Sequence, residues 1–274
     1  MANMYINSMN YSKNTRIWMD DLSENMMNLY TPGFKENKMT FKTYLDNAMP
    51  DRLLKNVGQG KAIPGTSDEN VFLEGSGYFI LKNDEGRTAY TRLGEFKLDG
   101  EGVYRASDGS AVQGYILNDK GEIMTAGKNN GMDSLSEGGA MNIPTSEIKM
   151  WIDPDNGKYL GKYDEFEIKG DGVFYGKANN GKEMTPLFKI ALANFHNPQE
   201  LFEFKSGQFL ETRYSGKPVA GRGEIRSGLI ELSNIDFKAN ATYWKEAKNQ
   251  LEISSKIFST YDKLLETLLQ NLLK

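Results

Sequence analysis

SNIDFKANATYWKEAKNQLEISSKIFSTYDKLLETLLQNLLK, residues 233–274, ends the chain without a proline or a glycine. Phe237, Trp244, Leu251, Phe258, Leu265 and Leu272 recur in it at a constant spacing of seven. That period places all six on one face of a single long helix. A second row, Asn240, Ala247, Ser254, Tyr261 and Leu268, is polar or small early and apolar late. The strongest packing surface is therefore expected in the C-terminal half. Ser233 with Asp236 three residues on resembles a capping box, with Asp where Glu is usual, so the helix is expected to start near Ser233. Forty helical residues span about 60 Å, more than a β domain of ~150 residues needs for packing. A helix of that length at a terminus points to assembly.

The other end carries a weaker stripe. Met4, Tyr11, Trp18 and Asn25 form one row, and Leu22, Met26 and Leu29 continue the apolar face. Residues 4–29 read as a first helix, rich in Asn, Ser, Tyr and Met and therefore marginal alone. Thr31-Pro32-Gly33 ends it. Asn25 on the stripe either sets register at some cost in stability or faces solvent on a loosely defined stripe.

Between the ends, residues 35–70 lack periodicity and are punctuated by Pro50, Gly58, Gly60, Pro64 and Gly65, which predicts a linker with extended backbone. From residue 71 turn dipeptides arrive often: Glu85-Gly86, Asp99-Gly100, Asp108-Gly109, Lys120-Gly121, Asn156-Gly157, Asp171-Gly172 and Asn180-Gly181. Short β-prone runs such as Tyr78-Phe79-Ile80-Leu81, Ile148-Lys149-Met150-Trp151-Ile152 and Phe188-Lys189-Ile190-Ala191-Leu192 lie between them. Asp-Gly and Asn-Gly suit tight hairpins, so residues 71–225 read as an antiparallel β domain. Gly127–Gly139 reads as a surface loop. The expected organisation is mixed α and β: an N-terminal assembly helix (1–34), a linker (35–70), a central antiparallel all-β domain (71–225) and a C-terminal assembly helix (226–274). The two terminal helices are expected to pair as a coiled-coil-like module.

Composition narrows the function classes. The 274 residues carry a net charge of −4, without a Lys/Arg cluster of the kind that binds nucleic acid. There is no cysteine, which excludes disulfides, thiolate metal sites and cysteine nucleophiles. No run of eighteen apolar residues is present, so no membrane-inserted helix is expected. The N-terminus lacks the basic and apolar blocks of a cleaved signal peptide. His196, the single histidine, has no second His or serine motif beside it and reads as a loop residue. Asp153-Pro154-Asp155-Asn156-Gly157 places Gly at the fifth position, not the sixth, of a calcium loop and reads as a β-turn. Gly58-Gln59-Gly60 and Gly221-Arg222-Gly223 do not complete a dinucleotide fingerprint. The acid pairs Asp84/Glu85 and Asp164/Glu165 lie in turns, where carboxylates are usually solvated. No catalytic, cofactor-binding or metal-binding residue is assigned, and the chain is not expected to be an enzyme. An alternative from another class is a secreted glycan-binding or carbohydrate-active β protein with a helical oligomerisation module.

Several blocks are similar to a known family. Leu22–Lys35, LSENMMNLYTPGFK, resembles the signature ISNNIANVNTTGFK, with Ser23, Asn25, Asn28, Thr31, Gly33, Phe34 and Lys35 matching and Glu24, Met27, Tyr30 and Pro32 departing. Gly75-Ser76-Gly77-Tyr78-Phe79, followed by Tyr90-Thr91-Arg92-Leu93-Gly94-Glu95-Phe96, resembles GDGFF and YTRDGSF. Ile190–Gln199, IALANFHNPQ, is similar to LANFVNPQ, and Arg226–Asp236, RSGLIELSNID, to RQGYLESSNV. A further block, TGNPLDLAI, is degraded to TSDENVFL at Thr66–Leu73. Together and in this order the blocks resemble the bacterial flagellar hook–basal body family, in particular its rod proteins. The resemblance implies paired terminal helices forming an inner tube, an outer β domain, and export through the flagellar type III apparatus. The implied partners are copies of the chain and other rod and hook proteins, and the implied place is the periplasm-spanning rod. The implied assembly interface is Tyr11, Trp18, Leu22, Asn25, Met26, Asn28, Leu29, Gly33, Phe34, Asn234, Phe237, Trp244, Leu251, Phe258, Tyr261, Leu265, Leu268 and Leu272. Proximal rod, distal rod and a short hook-type protein remain open, with the short 43–70 segment leaning towards a proximal type.

Overall fold

A computed structural model describes residues 2–38, 54–125, 128–129, 145–150, 163, 165–178, 181–205 and 207–272. The chain divides into two units. One contains residues 1–30, 35–56 and 235–274; the other contains residues 31–34 and 57–234.

The first unit is a helix pair. Helix α1 spans Ala2–Met27 and helix α2 spans Phe237–Leu272. Tyr11 meets Gln250 and Asn25 meets Asn240, so the two run antiparallel. Met27 is followed by a turn in which the Asn28 amide is shared between the carbonyls of Glu24 and Asn25. At the start of α2, Asp236 Oδ1 accepts from the amides of Lys238 and Ala239 at 3.0 and 3.2 Å. Asp236 is therefore the N-cap itself. The capping box expected from Ser233 is not the device used, and the helix starts at Phe237.

The dominant seven-residue stripe of α2 is not the seam with α1. The buried row is Asn240, Ala247 and Ser254, with Tyr261 half-buried. Small side chains there let the backbones approach, and Trp18 and Leu22 of α1 pack over Ala247, flanked by Met19 and Trp244. The dominant stripe lies on the flank. Trp244, Leu251 and Phe258 are half-buried, while Phe237 and Leu265 are exposed. The physical reason is that an aromatic row holds two helices further apart than a row of Ala and Ser does. Within the stretch expected to be a linker, Asn37–Lys38 pairs antiparallel with Leu54–Lys55.

The second unit is an antiparallel sheet domain. Its main strand path runs Glu165–Ile168, Val173–Ala178, Glu183–Ile190, Ala111–Ile116, Tyr78–Lys82, Thr88–Thr91, Gln208–Leu210 and Phe202–Lys205. Strand Tyr78–Lys82 shows why the sequence runs continuously apolar there. Phe79 and Leu81 enter one core, and Tyr78 and Ile80 enter the other. A strand covered on both faces has no need of polar alternation. The first core is strung on edge-to-face rings, Phe79–Phe96–Tyr104–Phe174, with centroids 5.0–5.4 Å apart.

Asp171-Gly172 closes a hairpin as expected, with Gly172 at φ 74° and its amide bonded to the Lys169 carbonyl. At Asp99-Gly100 the left-handed residue is Gly102 instead, because Asp99 Oδ1 accepts from both Glu101 and Val103 and widens the turn. The segments entering and leaving the unit zip together. Val71–Glu74 pairs with Glu224–Ser227, and Ala62–Pro64 pairs with Leu229–Glu231. Strand Ala62–Pro64 thus lies in the stretch expected to be a linker, and residues 229–231 of the stretch grouped with the closing helix are also strand. Ile148 and Met150 are core residues. Trp151, Ile152, the Asp153–Gly157 turn, Asp164 and most of the Gly127–Gly139 loop lie outside the described residues; Lys128–Asn129 pairs with Met124–Thr125.

Candidate assembly site

Within the helix pair, the described residues expected to form the assembly surface fall into three groups by exposure. Trp18, Leu22 and Asn25 are buried inside the helix pair, at 2, 4 and 1% exposure. Tyr11, Met26, Asn28, Leu29, Trp244, Leu251, Phe258 and Tyr261 are half-buried. Tyr11 donates to Gln250 at 2.9 Å, and Asn28 donates back to the Glu24 carbonyl. Phe237, Leu265 and Leu268 are exposed. The Leu272 side chain lies outside the described residues. Every described side chain from Asp262 to Asn271 is exposed, among them Leu264, Leu265, Leu268 and Leu269. An isolated helix end with four open leucines on adjoining turns is a surface that water opposes.

Gly33, Phe34 and Asn234 belong to the second unit, where three of the family-like blocks converge. The Gly33 amide donates to the Glu231 carbonyl at 2.8 Å, joining the TPGF block to the LIELSN block. Gly33 has φ 69°, and a Cβ there would stand 3.0–3.1 Å from the Leu93 Cβ, Cα and N. Glycine is required on both counts. Arg92, from the YTRLG block, is buried. It donates to the carbonyls of Leu73 and Gly75 at 3.2 and 2.5 Å, and its Nε lies 3.7 Å from Glu231 Oε2. Glu231 is fully buried, and its Oε1 accepts from the Gly60 amide at 2.7 Å. Asn234 donates to the Gly58 carbonyl at 2.7 Å. A buried ion pair with these extra bonds ties the entering and leaving segments of the sheet unit at one point.

Sequence reasoning did not single out Arg92, Glu231, Glu36 or Asn37. The signal for Glu231 was a charged residue set inside an apolar run, Leu229-Ile230-Glu231-Leu232, whereas Arg92 was marked only by its place in the Tyr90–Phe96 block. For Glu36 and Asn37 the sequence carried no comparable signal.

Nothing assembles into a catalytic arrangement among the described residues. His196 is exposed after strand Leu192–Asn194. Asp84 and Glu85 are solvated, facing Arg105 and Arg87 respectively. Gly60 and Gly223 serve close packing: a Cβ at Gly60 would meet the Leu232 carbonyl, and one at Gly223 would meet Leu73 and the Glu74 carbonyl. A cleft of about 400 Å³ beside Gly221 and Gly223 is lined by Tyr115, Asp171, Lys189 and Arg222. Burial lowers the Lys189 pKa, Asp171 opposes that shift and Arg222 adds to it. Asp171 is the carboxylate of that lining, so the paired acids of glycoside hydrolysis are not brought together there. No group of three or more metal-ligating acids and histidines occurs among the described residues.

Comparison with known proteins agrees with the convergence of the blocks. Residues 72–176 match the flagellar hook protein FlgE/F/G D1 domain. The flagellar basal-body rod protein FlgG of Bacillus subtilis is 26% identical, over 93% of this chain and 94% of the relative. The FlgG of Borreliella burgdorferi is 25% identical over 90% of both chains. The flagellar hook protein FlgE of Borreliella burgdorferi is 34% identical, but over only 42% of this chain and 27% of the relative. The domain match, the likeness to rod proteins over most of the chain and the ordered blocks meeting at Gly33, Arg92 and Glu231 make this chain similar to the flagellar rod and hook proteins.

Proposed function

We propose that the chain is a structural axial subunit of the flagellar basal-body rod. The observation that carries this reading is coextension: rod proteins align with the chain from end to end, whereas hook proteins align with less than half of it. The physics of the helix pair supports it. The exposed leucines of α2 are a surface that gains stability by being covered, at about 25 cal/mol per Å² of apolar area removed from water. Head-to-tail contacts between identical subunits that do not close a ring build a helical tube. In this reading copies of the chain, with other rod and hook proteins, cover the flanks of the helix pair. The sheet unit supplies the outer layer, and the tube transmits torque from motor to hook. The subunit reaches its place through the flagellar type III export apparatus.

The test is location and loss. A tagged chain is expected in the rod of isolated hook–basal bodies, and its deletion should leave cells without a complete rod and non-motile. Full motility after deletion, or absence of the chain from purified basal bodies, would overturn the assignment.

A further inference from the structure

In the buried polar cluster of the helix pair, the side-chain amides of Asn25 and Asn240 have every donor engaged. Asn25 Nδ2 donates to the Asn37 carbonyl and to Asn240 Oδ1, each at 3.0 Å, and Asn25 Oδ1 accepts from the Asn37 amide at 2.9 Å. Asn240 Nδ2 donates to Glu36 Oε1 at 2.7 Å and to the Asp236 carbonyl at 2.9 Å. Glu36 Oε2 accepts from Asn56 at 2.8 Å. Both donors and the acceptor oxygen of each asparagine are thus engaged, and both side chains are 1% exposed.

The small residues of the seam discriminate little between registers, although a slide would also break the Tyr11–Gln250 bond and the Trp18–Tyr243 ring contact, whose centroids are 6.1 Å apart. One heptad beyond Asn240 stands Ala247, and one heptad beyond that stands Ser254. Sliding α2 by seven residues would bring Ser254 beneath Trp18 and Leu22 in place of Ala247, a change of one hydroxyl. The same slide would bring Ala247 opposite Asn25 and leave the buried amide without its Asn240 partner. Polar groups stranded in such a site are costly, while the small seam residues are nearly indifferent. The slide would also move the open end of α2, residues 262–271, by about 10 Å.

We infer that Asn25 and Asn240, with Glu36 and the Asn37 backbone, are positioning residues that fix the register of α1 against α2 and so set how much of the leucine-bearing end of α2 is presented to a neighbouring copy of the chain. This deepens the assembly reading and rests on it for the neighbour, though not for the register.

The absence of cysteine permits a clean test in the full-length chain. Tyr11→Cys is combined with Gln250→Cys to report the observed register, or with Ile257→Cys to report the register slipped by one heptad, and each pair is treated with a short bismaleimide. In the parent the first pair should cross-link and the second should not. In the Asn25→Leu, Asn240→Leu background, with helical ellipticity retained, the ratio of the two yields should fall by about tenfold, the factor that 1.4 kcal/mol represents. The transplant Asn240→Ala with Ala247→Asn should move the preferred cross-link to the second pair. It serves as the deciding variant if the leucine pair loses helicity. A ratio unchanged in the variant that stays helical, or no cross-link at Tyr11→Cys/Gln250→Cys in the parent, would overturn the inference. Absence of the chain from basal bodies would refute the rod assignment while leaving the cross-link result untouched.

Discussion

Replacing Asp21 by asparagine should stabilise the helix pair at neutral pH and remove part of its pH dependence. Asp21 lies on α1, half-buried, and its Oδ2 is enclosed without a hydrogen-bond partner among the described residues. Burial is the main reason its carboxyl is pushed up from 3.8 to about 6; the nearby Glu24 and Asp20 add to the shift, and Lys55 opposes it. A raised carboxyl pKa means that the folded helix pair favours the protonated form. The stability linked to this group is fully present below its unfolded pKa and is lost as pH rises through about 6. A shift of roughly two units corresponds to about 3 kcal/mol when the group is wholly shielded. Asp21 remains about half solvated, and screening reduces this to about 1 kcal/mol. Asp21→Asn should therefore gain about 1 kcal/mol near pH 7.5 and almost nothing near pH 4. Urea unfolding followed by helical ellipticity across that range, for wild type and variant, measures the difference directly. A variant less stable than wild type at neutral pH, or a difference that does not change with pH, would refute the argument.

Arg92→Met should destabilise the sheet unit by about 3–5 kcal/mol by leaving the Glu231 carboxylate buried without its cation, and adding Glu231→Gln should recover most of that loss. Urea melts of the four proteins in a double-mutant cycle read the coupling, and a coupling near zero would show that the pair is incidental. Gly33→Ala should cost about 2 kcal/mol, from the left-handed backbone and the contact with the Leu93 backbone together; an unchanged unfolding midpoint would contradict it. Leu265→Asp with Leu268→Asp should leave monomer stability within about 0.5 kcal/mol, since both side chains are already exposed, yet prevent incorporation into basal bodies. Normal swarming by cells carrying that variant would remove these leucines from the proposed assembly surface.

Much of this organisation was legible because its signals are local. The spacing from Phe237 to Leu265, the Pro32-Gly33 stop and the frequent Asp-Gly turns each act over a few residues, so helix, stop and hairpin could be read directly. Gly33 was recognisable through its block, although its reason, the left-handed backbone against Leu93, was not. Which face of α2 meets α1 was not legible, because periodicity identifies which residues share a face but not which face meets the partner. Ala247 and Ser254 are unremarkable as residues, and they become the seam only when Trp18 and Leu22 are placed against them. Ala62–Pro64 looked like linker because a three-residue strand carries no period; its partner, Leu229–Glu231, is far away in the chain.

The sequence by itself determined two helical ends, an antiparallel β middle and likeness to flagellar axial proteins, since hydrophobic period and turn chemistry are set by neighbours along the chain. Only the tertiary structure decided that Arg92 and Glu231 form a buried pair beside Gly33, and that Asn25 meets Asn240, Glu36 and Asn37. Those contacts join residues up to 215 positions apart. Their energies arise from removing charged and amide groups from water together, and no local pattern records which groups will be buried in company.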